Sequence, residues 1–183
     1  LLKYLLIFIF CLSVNAFASQ EGLMPVNVSP KTLQLENEFI KIIVNNMDSG
    51  NFAAVGRFAL ETTSGDPKNV RDDNQPLIYG RPFPWTSYTS FKIDDKVYVF
   101  GGENKKIQKR TGSKIVFGQL ISQELVEDTV ITECLFGDVR IIQTLKLFRN
   151  SWTKVRDTAM ISYEVINESN ITSSVGVRIM LDT

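Results

Sequence analysis

Five residues between positions 79 and 88 combine aromatic faces with a guanidinium group, a combination suited to binding sugars. They are Tyr79, Arg81, Phe83, Trp85 and Tyr88. Sugar rings expose apolar C–H faces on which a flat aromatic side chain stacks, while nearby polar groups bond the hydroxyls. The alternative is that the aromatic side chains only pack this segment onto the domain, since burying one of them contributes about 2–3 kcal/mol. The sequence therefore predicts a candidate ligand-binding segment and leaves packing open as the other interpretation.

Three carboxylates lie just before this segment, at Asp66, Asp72 and Asp73. Carboxylate oxygens are ligands that Ca²⁺ prefers, so these residues form a candidate metal site. Their spacing differs from that of a calcium-binding helix–loop–helix, and aspartates in loops also accept hydrogen bonds from backbone amides. We expect turn formation here, with calcium as the one cofactor that the residue types leave open.

The chain contains no histidine. This composition excludes Ser-His-Asp and Cys-His nucleophilic sites, as well as zinc sites that use imidazole. Glycoside hydrolysis by two carboxylates needs no histidine, but no spacing in the sequence selects a pair. The candidates are Glu61, Asp72, Asp73, Glu133, Glu164 and Asp182. We therefore assign no catalytic residue and expect no enzymatic activity within these 183 residues.

The charges of the chain balance, with twenty basic and twenty acidic residues. A chain without an excess of positive charge has no general attraction for phosphate backbones or anionic lipid surfaces. Four of the six residues 105–110 are Lys or Arg. We interpret this run as a charged edge strand that discourages aggregation between sheets, rather than as an anion-binding patch. Nucleic acid is therefore not an expected partner.

The first 18 residues have the pattern of a signal peptide. A basic residue precedes an apolar run over residues 5–14, and Ala16-Phe17-Ala18 fits the small-x-small pattern of a cleavage site before Ser19. A membrane-spanning helix needs about 20 apolar residues, and this run is shorter. We expect cleavage after Ala18, a secreted or cell-surface location, and no membrane span in the mature chain. Cys134 is then the only cysteine left, and its apolar surroundings predict a buried thiol.

Beyond a polar linker at residues 19–31, the chain has the pattern of successive β-strands. Apolar and polar residues alternate, and turn signals such as Gly137-Asp138 recur about every 8–12 residues with no amphipathic helix between them. We predict an all-β fold, an antiparallel β-sandwich, over residues 32–183. Because the chain stops directly after a strand pattern, we expect the domain to be truncated and the protein to continue beyond Thr183.

Two adjacent asparagine motifs, Asn167-Glu168-Ser169 and Asn170-Ile171-Thr172, fit the pattern for N-glycosylation. Asparagine and serine are also residues that form turns between strands. Both interpretations are open at this point.

Three stretches resemble a known family. Leu35–Val44 is a strand pattern followed by a glycine turn, Tyr163–Asn170 ends a long strand at an asparagine-rich turn, and Val175–Thr183 forms the next strand pattern. In this rhythm residues 32–183 are similar to the galactose-mutarotase-like "supersandwich" domains. The resemblance implies a large antiparallel sandwich. Its members act as sugar epimerases, as accessory domains of glycoside hydrolases and polysaccharide lyases, or as carbohydrate-binding parts of exported proteins. The epimerase members use a histidine and a carboxylate, so that chemistry is not carried over to this chain.

These features predict an exported, non-catalytic β-sandwich module whose partner is a glycan or another cell-surface component. One alternative is the N-terminal β domain of a glycoside hydrolase or polysaccharide lyase whose catalytic residues lie beyond Thr183. Another is a structural or adhesion module whose strand edges pair with a partner.

Overall fold

The computed structural model describes residues 8–13, 28–29, 32–46, 55–64, 68–78, 87–103, 107–109 and 115–183. β-Strands dominate these residues, and helical structure among them is confined to a 3-10 turn at Val70–Asp72 and to residues 107–109. None of the described helices is long and apolar enough to cross a membrane. The predicted edge strand at residues 105–110 is wrong for its described part, which is helical and buries Ile107 completely.

The described residues form thirteen strands. In chain order they are β1 (Phe8–Ser13), β2 (Val28–Ser29), β3 (Thr32–Glu36), β4 (Ile40–Asn45), β5 (Phe58–Thr62), β6 (Tyr88–Ile93), β7 (Lys96–Val99), β8 (Val116–Phe117), β9 (Gln119–Val126), β10 (Thr129–Phe136), β11 (Val139–Phe148), β12 (Thr158–Asn167) and β13 (Val175–Met180). The glycine turn predicted to follow the strand pattern Leu35–Val44, at residues 48–51, lies outside the described residues. The strands on either side of it, β4 and β5, pair antiparallel.

The strands are arranged in three sheets. The five-stranded sheet has the order β1-β12-β11-β10-β9. The first four-stranded sheet has the order β2-β3-β4-β5, and the second has the order β13-β6-β7-β8. Neighbouring strands are antiparallel except for β7 and β8, which are parallel.

Both four-stranded sheets pack against the same face of the five-stranded sheet. Strands β3 and β4 contact β10, β11 and β12. Phe91 of β6 packs against Phe136 of β10 and Tyr163 of β12, with ring centroids 6.2 and 5.4 Å away. Phe100, just after β7, has its ring centroid 5.5 Å from that of Tyr163. One hydrophobic core therefore joins the three sheets, and the predicted all-β, antiparallel β-sandwich is confirmed.

The alternation of residue types in β10 and β11 decides which side chains face this core. In β10 every second residue from Val130 to Phe136 is buried, and in β11 every second residue from Val139 to Leu147. Side chains of a strand point alternately to the two faces of a sheet, so one half of each strand is directed inward, and this half is apolar except for Thr132 and Gln143. Strand β5, in contrast, is buried along its whole length, as expected of a strand that is covered on both faces.

Part of the predicted signal peptide is a strand of the five-stranded sheet. Strand β1 pairs antiparallel with β12 over six residues, from Phe8 opposite Tyr163 to Ser13 opposite Thr158. At the end of the predicted linker, β2 pairs with β3. Cleavage after Ala18 stays a prediction, and it would remove β1 from the sheet.

Candidate functional site

Four of the five predicted ligand-binding residues lie outside the described residues, namely Tyr79, Arg81, Phe83 and Trp85. Tyr88 is the first residue of β6, where it is half-buried and lies opposite Met180 of β13. Tyr88 therefore belongs to a sheet rather than to a loop. The binding role of the 79–88 segment stays a prediction.

The predicted metal site is described at two of its three residues, since Asp66 lies outside the described ranges. Asp72 ends the 3-10 turn and Asp73 follows it. The hydroxyl of Thr62 donates to the carbonyl oxygen of Asp72 and accepts from the backbone N–H of Gln75 at 2.8 Å. In the part of the chain that the structure describes, no group of three His, Cys, Asp or Glu side chains is placed to hold a metal ion. The contacts attach this acidic segment to the end of β5, and a calcium site that includes Asp66 stays a prediction.

Trp152 is the most exposed large apolar side chain among the described residues, at 90%. It lies between β11 and β12, in residues 148–156, which we call the Trp152 turn. The backbone N–H of Trp152 donates to Asn150 Oδ1 over 2.8 Å, and that of Lys154 donates to the Asn150 carbonyl oxygen over 3.0 Å. The Asn150 N–H donates in turn to the carbonyl oxygen of Val155 over 2.8 Å. The indole thus projects into solvent from a backbone that local hydrogen bonds hold in shape.

Aromatic and basic side chains accompany the indole. Phe148, at the end of β11, is 43% exposed, and Arg149 and Lys154 are exposed as well. The guanidinium of Arg156 forms an ion pair with the carboxylate of Asp128 in the β9–β10 turn. The hydrogen bond from Arg156 holds the pKa of Asp128 below its ordinary value. The ion pair therefore ties the Trp152 turn to the neighbouring turn at the same end of the five-stranded sheet.

The β3–β4 turn supports the Trp152 turn from the opposite layer. Asn37 Nδ2 donates to the carbonyl oxygen of Arg156 over 2.6 Å, while its Oδ1 accepts from the backbone N–H of Phe39 at 2.9 Å. The next residue, Glu38, accepts a hydrogen bond from the hydroxyl of Ser64 at 2.6 Å through its carbonyl oxygen. Because Ser64 lies just beyond β5, the acidic segment and the Trp152 turn lie at the same end of the sandwich.

A buried guanidinium joins the two four-stranded sheets. Arg57, just before β5, is 2% exposed and donates to the carbonyl oxygens of Phe100 and Gly102, the latter over 3.1 Å. Burial lowers the pKa of Arg57 to about 10. Gly101, between the two carbonyls, has a φ of 85°, and a Cβ atom there would collide with the carbonyl oxygen of Val55. Arg57 therefore clamps the turn after β7 onto the start of β5.

A row of polar side chains crosses the inner face of the five-stranded sheet. Gln123, Thr132, Gln143 and Tyr163 are successive cross-strand partners on β9, β10, β11 and β12. Gln123 donates to Thr132 Oγ1 over 3.1 Å, and Gln143 donates to the Tyr163 hydroxyl over 2.8 Å. The Tyr163 hydroxyl also lies 2.6 Å from Thr89 Oγ1 on β6, and burial raises the pKa of Tyr163 to about 12. Of these neutral hydrogen bonds, the one between Tyr163 and Thr89 joins the five-stranded sheet to the layer that contains β6.

The thiol of Cys134 is fully buried, as the sequence predicts. Burial raises the pKa of Cys134 to about 11. A thiol with this pKa is protonated at neutral pH and is a poor nucleophile. Since Arg57 and Tyr163 are enclosed as well, these interior groups stabilise the fold, and the exposed candidate site is the Trp152 turn.

Comparison of the chain with protein-family models, with curated proteins and with solved structures found no match. The resemblance to galactose-mutarotase-like domains stays a prediction. A function for the Trp152 turn is therefore argued from its own geometry.

The sequence contains a signal for Trp152 that composition alone does not reveal. Trp152 directly follows the turn signal Asn150-Ser151, and a side chain in a turn has no sheet face on which to be buried. The sequence gives little indication that Arg57 is buried, because a single charged residue beside the apolar strand residues 58–60 is more often directed to solvent. Only its contacts with residues after β7 identify it as an interior group.

Proposed function

We propose that the protein is an exported, non-catalytic β-sandwich module that binds a glycan through the Trp152 turn. The observation that supports this proposal is the 90% exposure of Trp152 on a turn whose backbone is fixed by its own hydrogen bonds. Keeping so large an apolar side chain in water forgoes about 2–3 kcal/mol of burial free energy. A tryptophan in such a place is typical of an anchor that becomes buried when a partner binds.

The chemistry around the indole favours a sugar as the partner. A sugar ring stacks its C–H face on a flat aromatic side chain, and its hydroxyls then need donors and acceptors close by. The residues on either side of Trp152 supply such groups, since Ser151 before it and Lys154 two residues after it are both exposed. Turns on a rigid β scaffold are also where binding residues concentrate.

Export is part of the proposal and rests on the signal pattern of residues 1–18. A secreted or cell-surface protein meets polysaccharides outside the cell, where a binding module needs no catalytic residue of its own. The supersandwich resemblance supports the same class of ligand.

Retention on a panel of neutral and acidic polysaccharides tests the proposal. Trp152→Ala is expected to weaken retention about thirtyfold, the effect of losing roughly 2 kcal/mol at an interface anchor. Ile171→Ala is the matched control, because Ile171 is 76% exposed but lies between β12 and β13, at the opposite end of the sheet. Equal retention of the two variants would remove Trp152 from the binding function.

The variant Trp85→Ala tests whether the glycan binds at the Trp152 turn or at the predicted 79–88 segment. We expect this variant to retain polysaccharide as the unchanged protein does. Loss of retention with Trp85→Ala, together with full retention by Trp152→Ala, would move the site to the predicted segment.

A further inference from the structure

Among the described residues, β1 is the strand that covers the β12 edge of the five-stranded sheet. The pairing of β1 with β12 occupies the backbone of Thr158–Tyr163 over six residues. Strand β1 lies inside the segment 1–18, which the proposed export would remove. Its removal leaves the N–H and C=O groups of this stretch of β12 unpaired on one side, and such an edge is a template for another strand.

The composition of this edge contains none of the features that usually protect an edge strand. The sequence from Thr158 to Tyr163 is Thr-Ala-Met-Ile-Ser-Tyr, without a charged residue or a proline. The opposite edge of the same sheet, β9, carries the exposed Glu124, and its register with β10 shifts between Glu133 and Cys134. Charges and bulges of this kind hinder the addition of a further strand, so β9 is protected, whereas the Thr158–Tyr163 stretch of β12 is not.

We propose that loss of the export segment opens the β12 edge, and that a second copy of this chain pairs its own β12 there. The two strands run antiparallel about a two-fold axis at Ile161, which gives a continuous eight-stranded sheet made of four strands from each copy. The inference rests on the export part of the proposed function and is independent of glycan binding.

The side chains of β12 suit pairing with themselves. About Ile161, Ala159 lies opposite Tyr163 of the second copy and Met160 lies opposite Ser162 of the second copy. Residues directly opposite each other in an antiparallel pair share a face, so buried Ala159 meets buried Tyr163 and half-buried Met160 meets half-buried Ser162. Thr158 lies opposite the one charged residue of the strand, Glu164, so no like charges face each other. An interface in which both copies use the same strand is closed and symmetric.

Secretion of the full chain with its own leader tests the inference, with the full chain made in the cytosol as the comparison. Mass spectrometry of the N-terminus shows whether residues 1–18 were removed, and light scattering after size exclusion gives the molar mass. We expect the processed chain to have twice the mass of one copy and the unprocessed chain to be a monomer. A processed chain that stays monomeric overturns the inference and leaves glycan binding untouched. A secreted chain that keeps its leader overturns cleavage after Ala18 and the inference together.

Two variants locate the contact. Ser162→Lys adds a positive charge at the β12 edge of both copies and should give a processed monomer. Thr144→Lys is the matched control, because Thr144 is half-buried like Ser162 and is its cross-strand partner on β11, one strand in from the edge. We expect it to leave the dimer intact. A dimer that survives Ser162→Lys overturns the assignment to this edge.

Cross-linking checks the register without relying on these variants. In the processed chain with Met160→Cys and Ser162→Cys, the two cysteines lie opposite each other across the proposed axis, and mild oxidation should give a disulfide-linked dimer on a non-reducing gel. The combination of Met160→Cys with Glu164→Cys places no two cysteines opposite each other and should stay unlinked. The reverse result overturns the register about Ile161.

Discussion

The hydroxyl of Tyr163 lies 2.6 Å from Thr89 Oγ1, so that β12 of the five-stranded sheet is hydrogen-bonded to β6 of the layer that packs against it. The same hydroxyl accepts from Gln143 on β11. The Tyr163 ring is meanwhile packed against Phe91 and Phe100. A single side chain thus contributes both apolar burial and the polar contact between the layers.

Tyr163→Phe should destabilise the fold while keeping the aromatic packing. The ring stays, but the buried amide of Gln143 and the hydroxyl of Thr89 lose a partner, which costs about 1–3 kcal/mol. Chemical denaturation measures this change in the free energy of unfolding. Tyr98→Phe is the control, since Tyr98 packs its ring on another core residue, Phe136, but is only half-buried. Equal losses in the two variants would show that the Tyr163 hydroxyl contributes nothing specific.

Gly101→Ala should be among the most destabilising single substitutions in the described part of the chain. The residue has a φ of 85° and lies in the turn that Arg57 clamps, where its new Cβ atom would collide with the carbonyl oxygen of Val55. We expect a loss of more than about 3 kcal/mol from strain and overpacking combined. Gly137→Ala isolates the backbone cost, because Gly137 has a φ of 63° and an added Cβ atom would meet nothing within 4 Å, so it should lose only about 1–2 kcal/mol. Thermal melts that rank the two variants the other way would contradict a collision at Val55.

Asn37→Ala should affect both stability and polysaccharide retention. The side chain is buried and links the β3–β4 turn to the backbone of Arg156 in the Trp152 turn. Its loss leaves buried backbone groups without partners, at a cost of about 1–3 kcal/mol, and removes a support of the indole. Asn167→Ala is the control, since Asn167 makes similar turn contacts but is exposed, so that water replaces them. Retention that is unchanged in a folded Asn37→Ala protein would show that the Trp152 turn keeps its shape without this bond.

The ion pair of Asp128 with Arg156 should stabilise the fold at neutral pH, and this stabilisation should be lost when acid protonates the carboxylate. The pKa of Asp128 is lower in the folded chain than its ordinary value of 3.8, so the unfolded chain binds the proton more tightly. The stabilisation is therefore complete above about pH 5 and is lost as the pH falls through the folded-state pKa. Carboxyl titration by NMR measures the midpoint, which Arg156→Gln should raise towards the ordinary value. Arg149→Gln, which removes a positive charge from the same turn, should change it less, and equal midpoints in both variants would argue against a specific ion pair.

The fold class was predictable because it depends on local patterns. The alternation in β10 and β11 and the turn signal Gly137-Asp138 between them correspond to strands and a turn in the structure. The helical structure of residues 107–109 was missed because four basic residues in a run of six hide the one apolar residue that is buried, Ile107.

The candidate site was less predictable, because exposure and long-range pairing depend on the whole chain. Burying a tryptophan contributes so much free energy that the residue type alone predicts a buried Trp152. Only its position in a turn predicts that the side chain is exposed. The buried position of Arg57 depends on carbonyl groups more than forty positions away. The prediction for the 79–88 segment depends on its composition alone. Of its predicted binding residues only Tyr88 lies within the described residues, where it belongs to strand β6.

The pairing of Phe8 with Tyr163 also has a consequence for the order of events during synthesis. The two residues are about 155 positions apart, so the ribosome needs about 8–30 s at about 5–20 residues per second to make the partner strand after the first one has emerged. During that interval residues 8–13 have no β12 to pair with, so the signal peptide predicted there would be accessible to the targeting machinery. Pairing of residues 8–13 with β12 is thereby compatible with the predicted export, because β12 is translated long after them.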